Sequence, residues 1–128
     1  MEKEFLTARL IEKFSELTET EIPAEAPAKE ELCDRCARLY FDGIECEKHS
    51  LRRTYKYRLR YYAEDWDFSL GGILKAEAYL RNSKTEIFSN GENQFFVRYF
   101  NINTIHEHLY TASGVMHCFS EIQFSVTL

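Results

Sequence analysis

From Glu2 to about Leu17 the apolar residues Leu6, Leu10, Phe14 and Leu17, with Ile11 beside them, recur at helical spacing, and Glu4, Glu12, Lys13 and Glu16 fall elsewhere. That spacing predicts one amphipathic helix, either docked on its own domain or offered to a partner. Thr18 to Thr20 mark its end. Residues 21–31 carry Pro23, Pro27, three alanines and several charges but no periodic apolar face, and read as a linker. Between Thr54 and Tyr62 the period becomes two: Tyr55, Tyr57, Leu59 and Tyr61 alternate with Lys56, Arg58 and Arg60, as in a half-buried strand.

Asp65 to Ser69 reads as a polar turn with Ser69 as a capping residue. Leu70, Ile73, Leu74, Glu77 and Leu80 then follow at helical spacing up to Asn82. Gly71 and Gly72 weaken the first turn of this short helix by about 1 kcal/mol each relative to alanine. Thr85 to Ser89 and Gln94 to Asn101 flank Asn90-Gly91, a pair that tolerates positive φ and so predicts a β-hairpin. Ile105 to Thr111 and His117 to Leu128 read as two further strands joined by a turn at Ser113-Gly114. The second of them puts Cys118, Ile122, Phe124, Val126 and Leu128 on one face. The expected fold class is therefore α+β: an amphipathic helix over 1–20, a linker over 21–31, and a domain over 32–128. That domain is expected to hold a zinc knuckle, then a mainly antiparallel sheet of four to six strands with one short helix.

Composition narrows the class. A chain of 128 residues with 45% hydrophobic residues can bury a core as one domain without staples. No apolar run is long enough for a membrane span, and Met-Glu-Lys-Glu-Phe-Leu lacks the basic and apolar regions of a secretory signal. Reduced thiols and a cytoplasmic or nuclear setting are expected. The net charge of -5 argues against bulk affinity for nucleic acid. Against that background, the run from Lys48 to Arg60 holds Arg52, Arg53, Lys56, Arg58 and Arg60 with no acidic residue between them.

The densest candidate chemistry lies in residues 32–50, where Cys33 and Cys36 form a C-x2-C pair and Cys46 and His49 a C-x2-H pair. Two such knuckles can close on one tetrahedral zinc, with Asp42-Gly43 reversing the chain between them. The fourth ligand is His49 in the simplest assignment, with His117 or Cys118 as alternatives. A sphere closed by protein ligands makes the zinc structural, and such a site contributes about 10–16 kcal/mol of binding free energy in zinc-finger peptides. His106 and His108 make a weaker H-x-H signal without an evident third ligand. Arg52, Arg53, Lys56, Arg58 and Arg60 nominate a nucleic-acid surface as the alternative function. The alternation, however, puts Tyr55, Tyr57 and Tyr61 on the other face, where they cannot stack bases beside the cations. No nucleophile elbow, phosphate-binding glycine loop or paired carboxylate site occurs, so a non-catalytic module with a protein partner is the first expectation.

Leu-Cys-Asp-Arg-Cys-Ala-Arg-Leu-Tyr-Phe-Asp at 32–42, Tyr-Ala-Glu-Asp-Trp-Asp-Phe-Ser-Leu-Gly-Gly-Ile-Leu-Lys-Ala-Glu-Ala at 62–78 and the aromatic strands from 94 onward resemble the N-terminal region of fungal heterokaryon-incompatibility proteins. In that family a Leu-Cys-x-x-Cys knuckle precedes a strand, an acidic turn, a short helix and further strands. Its second Cys-x-x-Cys after the helix is replaced here by Ala78, Tyr79, Leu80 and Arg81. Cys46 and His49 would then serve as ligands instead, or Cys33 and Cys36 are merely packed. The resemblance implies an accessory, regulatory or partner-binding module.

Overall fold

The computed structural model describes residues 2–23, 35–46, 52–83, 85–112 and 115–127. Along the chain run α1 (Glu2–Thr18), β1 (Cys36–Cys46), β2 (Arg53–Ala63), α2 (Trp66–Asn82), β3 (Thr85–Asn90), β4 (Asn93–Ala112) and β5 (Val115–Thr127). The strands form one antiparallel sheet in the order β1-β2-β5-β4-β3. Helix α2 carries the chain from β2 to the far edge of the sheet, and the last strand fills the gap left beside β2. The sheet therefore closes only when β5 docks.

Both helices cover one face, the inner face. The amphipathic stripe of α1 buries Leu6, Leu10 and Phe14 completely. Phe14 packs against Tyr79 and Phe124, with ring centroids 6.0 and 5.8 Å away. Two threonines of α1 tie it to the strand below: Thr7 Oγ1 lies 2.8 Å from Tyr57 Oη, and Thr18 Oγ1 lies 2.7 Å from Tyr61 Oη. The helix is thus docked on its own sheet. Ile22, read as linker, belongs to the core at 4% exposure, and its N–H donates to Ser15 Oγ at 3.3 Å. Residues 24–31 of the expected linker lie outside the described residues.

The alternation in β2 sends Tyr55, Tyr57, Leu59 and Tyr61 inward, where they meet Cys118, Ser120, Ile122, Phe124 and Val126 of β5. Helix α2 is longer than the sequence reading suggests, and its N-cap is Asp65, whose carboxylate accepts from the Phe68 N–H at 2.9 Å. Ser69 is instead buried inside the helix, because the aspartate four residues earlier already satisfies a free N–H of the first turn. Gly72 faces the ring of Tyr61.

Two glycine signals resolve differently from expectation. Gly43, with φ 135°, does not reverse the chain; it forms a bulge inside β1, where the register with β2 shifts between Phe41 and Gly43. The β3–β4 hairpin does form, with Asn90 paired to Asn93, so its two-residue loop is Gly91-Glu92 and Gly91 takes the positive φ of 63°. The two segments expected at Gln94–Asn101 and Ile105–Thr111 are a single strand, β4. A register shift between Phe100 and Asn103, with Asn101 at φ 52°, lets β4 bend without ending. The Ser113-Gly114 turn lies outside the described residues.

Candidate functional site

Cys36 and Cys46, the described members of the two knuckles, do not converge. Ala37 and Leu39 are buried on the inner face, so the segment between the knuckles is a strand, with Cys36 opposite Tyr62 and Cys46 opposite Arg53. Ten residues of strand separate the two cysteines by about 30 Å, whereas two thiolates on one zinc lie within about 4 Å of each other. Cys36 and Cys46, at opposite ends of β1, are therefore too far apart to share one ion. Cys33 and His49 lie outside the described residues. Cys118 is no substitute: it points to the inner face, where its thiol donates to the Ala63 carbonyl at 3.2 Å, while Cys36 lies on the outer face with Tyr62 and Phe119. The side chain of His117 lies outside the described residues, as does that of His108. His106 Nδ1 sits 2.9 Å from Ser120 Oγ. Among the described residues no three His, Cys, Asp or Glu side chains gather to hold a metal ion.

The cations of β2 do lie together on the outer face, but the flanking strands neutralise most of them. Arg58 Nε donates to both carboxylate oxygens of Asp42, at 2.9 and 2.7 Å. Arg60 Nε donates to Glu121 Oε1 at 2.5 Å, and Arg58 Nη1 lies 3.6 Å from the same oxygen. Lys56 is paired with Glu45. Glu121 is only 3% exposed, and Gln123 Nε2 donates to its second oxygen at 2.9 Å. The hydrogen bond to Asp42, outweighing burial, raises the Arg58 guanidinium above its ordinary value. Burial pulls Arg60 down, and its bonds to Tyr62 and Glu121 more than offset this.

Aromatic rings also stand on this face. Tyr40 lies between Arg58 and Arg60, at 5.0 and 5.5 Å, and Arg60 lies 4.6 Å from the Phe119 ring. The tyrosine on this face of β2 is Tyr62, whose hydroxyl sits 3.0 Å from Tyr40 Oη. Sequence reasoning missed it because the alternating set was taken only as far as Tyr61.

At the end of the sheet where β2, β5 and β4 meet, a cavity of about 360 Å³ opens on the same outer face. Arg52, Lys56 and Arg98 line it together with Glu45. Arg98, remote in sequence from the basic run, is brought there by pairing of β4 with β5. Arg53 pairs with Cys46 at the open end of the β1–β2 ladder.

A third surface is apolar. Ile87 and Phe96 oppose each other across β3 and β4 and are 53% and 70% exposed. On the helix side of the same edge, Arg9 donates to the Ser89 carbonyl at 3.1 Å and Lys13 lies 3.4 Å from Glu86.

Among the described residues no helix is long and apolar enough to cross a membrane. No family model matches the chain, and no curated protein matches it.

Proposed function

We propose that the chain is a non-catalytic protein-interaction module that takes an extended apolar peptide along the β3 edge of its sheet. The observation that carries this reading is the exposed Ile87–Phe96 pair on an end strand. A directly opposed apolar pair of this kind beside an edge that pairs with no further strand among the described residues offers main-chain hydrogen bonds and side-chain contact to an added strand. The opposite edge is defended differently: β1 carries Arg38, Asp42 and Glu45 and is kinked by the Gly43 bulge, devices that discourage strand addition. On β3 the bond from Arg9 occupies the Ser89 carbonyl and leaves the Thr85–Ile87 half for the partner. The motif-level resemblance to the N-terminal region of fungal heterokaryon-incompatibility proteins supports an accessory role of the same kind.

The nucleic-acid alternative is the weaker reading. Arg58, Arg60 and Lys56 are held by Asp42, Glu121 and Glu45, so a phosphate backbone would have to displace carboxylates to reach them.

Selection of displayed random peptides against the folded protein tests the proposal. Enriched peptides are expected to alternate apolar and polar residues and to shift the amide resonances of Thr85–Asn90. Phe96→Lys should weaken their binding by about thirtyfold, the scale of a central interface contact. Failure to enrich any peptide, or peptides that bind Phe96→Lys as tightly as wild type, would refute it.

A further inference from the structure

We propose that the outer face carries a second, separate site, built to hold one phosphate group of a small phosphorylated molecule, at the end of the sheet where β2, β5 and β4 meet. The register assembles it. Glu45, Thr54, Thr127, Arg98 and Thr85 form one rung across all five strands, in that order. Lys56, Ser125 and Phe100 form the next outward-facing rung. Neighbouring strands stand about 4.8 Å apart, and same-face residues along a strand lie about 6.7 Å apart. The hydroxyls of Thr54, Thr127 and Ser125 thus form a compact floor, with Lys56 and Arg98 on either side of it.

Arg52, just before β2, completes the cationic lining of the 360 Å³ cavity. Among the described lining residues Arg52, Lys56 and Arg98 stand with one carboxylate, Glu45, which is paired with Lys56, so in a protein whose net charge is -5 the lining of this cavity is cationic. Among the described residues Arg98 makes no ion pair, unlike Arg58 and Arg60 further along the face.

The donor set identifies the chemistry. Guanidinium forks and an ammonium around a floor of hydroxyls match an anion with several acceptor oxygens in three dimensions, which describes a phosphate monoester better than a planar carboxylate. The extent of the cavity argues for a small molecule. Beyond Lys56 the cations of β2 are held by Asp42 and Glu121, so among the described residues no continuous basic track leads away along β2 on which a polymer backbone could run. The attached group would lie against Phe100, a side chain lining the same cavity.

The test is a heteronuclear NMR titration of the full chain with inorganic phosphate, with potassium chloride at matched ionic strength as the control. Saturable shifts of the Thr54, Arg98 and Thr127 amides are expected with phosphate and not with chloride, with a Kd of about 1 mM. Arg98→Gln should raise that Kd about tenfold through loss of a charge-assisted fork. Glu45→Gln should lower it about threefold, because it removes the opposing carboxylate and releases Lys56. This gain cannot be mimicked by a folding defect, so it decides the matter should Arg98→Gln lose its native spectrum. Equal shifts with chloride, or a Kd unmoved by Glu45→Gln, would overturn the proposal. Oligothymidylate binding tighter than phosphate, with a salt dependence of about three or more released ions, would overturn the small-molecule assignment in favour of single-stranded nucleic acid. Both outcomes are independent of Phe96 and the β3 edge, so this site and the peptide reading can fail separately.

Discussion

Gly71 and Gly72 stand side by side in α2, and replacing each with alanine is expected to move stability in opposite directions. On helix propensity alone both changes gain up to about 1 kcal/mol. At Gly71 nothing lies within 4 Å of the added Cβ, so most of that gain should appear. At Gly72 the Cβ would meet Cδ1, Cγ and Cε1 of Tyr61 at 2.7, 2.8 and 2.9 Å, distances that real methyl contacts do not reach. The ring has little room to yield. Tyr61 is fully buried, its hydroxyl is bonded to Thr18, and its ring meets Phe68 edge-on at 6.1 Å. Overpacking of this kind costs about 1–3 kcal/mol, and losing the Thr18 bond would cost about 1 kcal/mol more. Gly72→Ala should therefore lose about 1–3 kcal/mol net, which sets it about 2–4 kcal/mol below Gly71→Ala, or on the order of 10 °C in Tm for a domain of this size. Urea unfolding of the two variants beside wild type measures it. Equal stabilisation by both alanines would refute the packing argument. So would a Gly72→Ala penalty that persists undiminished when Tyr61→Leu removes the ring.

Two further outcomes follow from the same geometry. Glu121→Ala should cost about 3 kcal/mol in urea unfolding, because it leaves the Arg58 and Arg60 guanidinium groups facing each other without their shared, nearly buried carboxylate, and a change below about 1 kcal/mol would contradict the network. Burial, partly opposed by the bonds from Thr7 and Thr18, pushes Tyr57 and Tyr61 up to about 12 from an ordinary value of 10.0. The native state thus holds these protons more tightly than the unfolded chain. Their contribution to stability is complete below the unfolded value and is lost as the pH rises through it towards the folded one. Tyrosinate absorbance followed with circular dichroism should show ionisation of these two rings delayed until the fold is lost, and all eight tyrosines titrating together in a folded protein would refute it.

The sequence by itself determined the elements whose signal is local. The stripe of Leu6, Leu10 and Phe14, the alternation from Tyr55 to Tyr61 and the turn at Gly91 each follow from the period of side-chain burial or from one residue's backbone freedom, and neither needs a distant partner. Which face of β2 is inner was legible for the same reason. Gly43 was ambiguous in principle, since a glycine with positive φ serves a reversal or a bulge equally well, and only the pairing of β1 with β2 selects the bulge. That choice separates Cys36 from Cys46. The charge of the outer face was likewise a tertiary matter. Lys56, Arg58 and Arg60 read as a basic run in one dimension, but the strand order sets them between Asp42 and Glu45 on one side and Glu121 on the other. The same order delivers Arg98 from more than forty residues away to stand near Arg52. Electrostatic pairing falls off over a few ångströms and takes no account of sequence distance, so which cations are neutralised, and which remain for a ligand, is decided only when the strands are laid side by side.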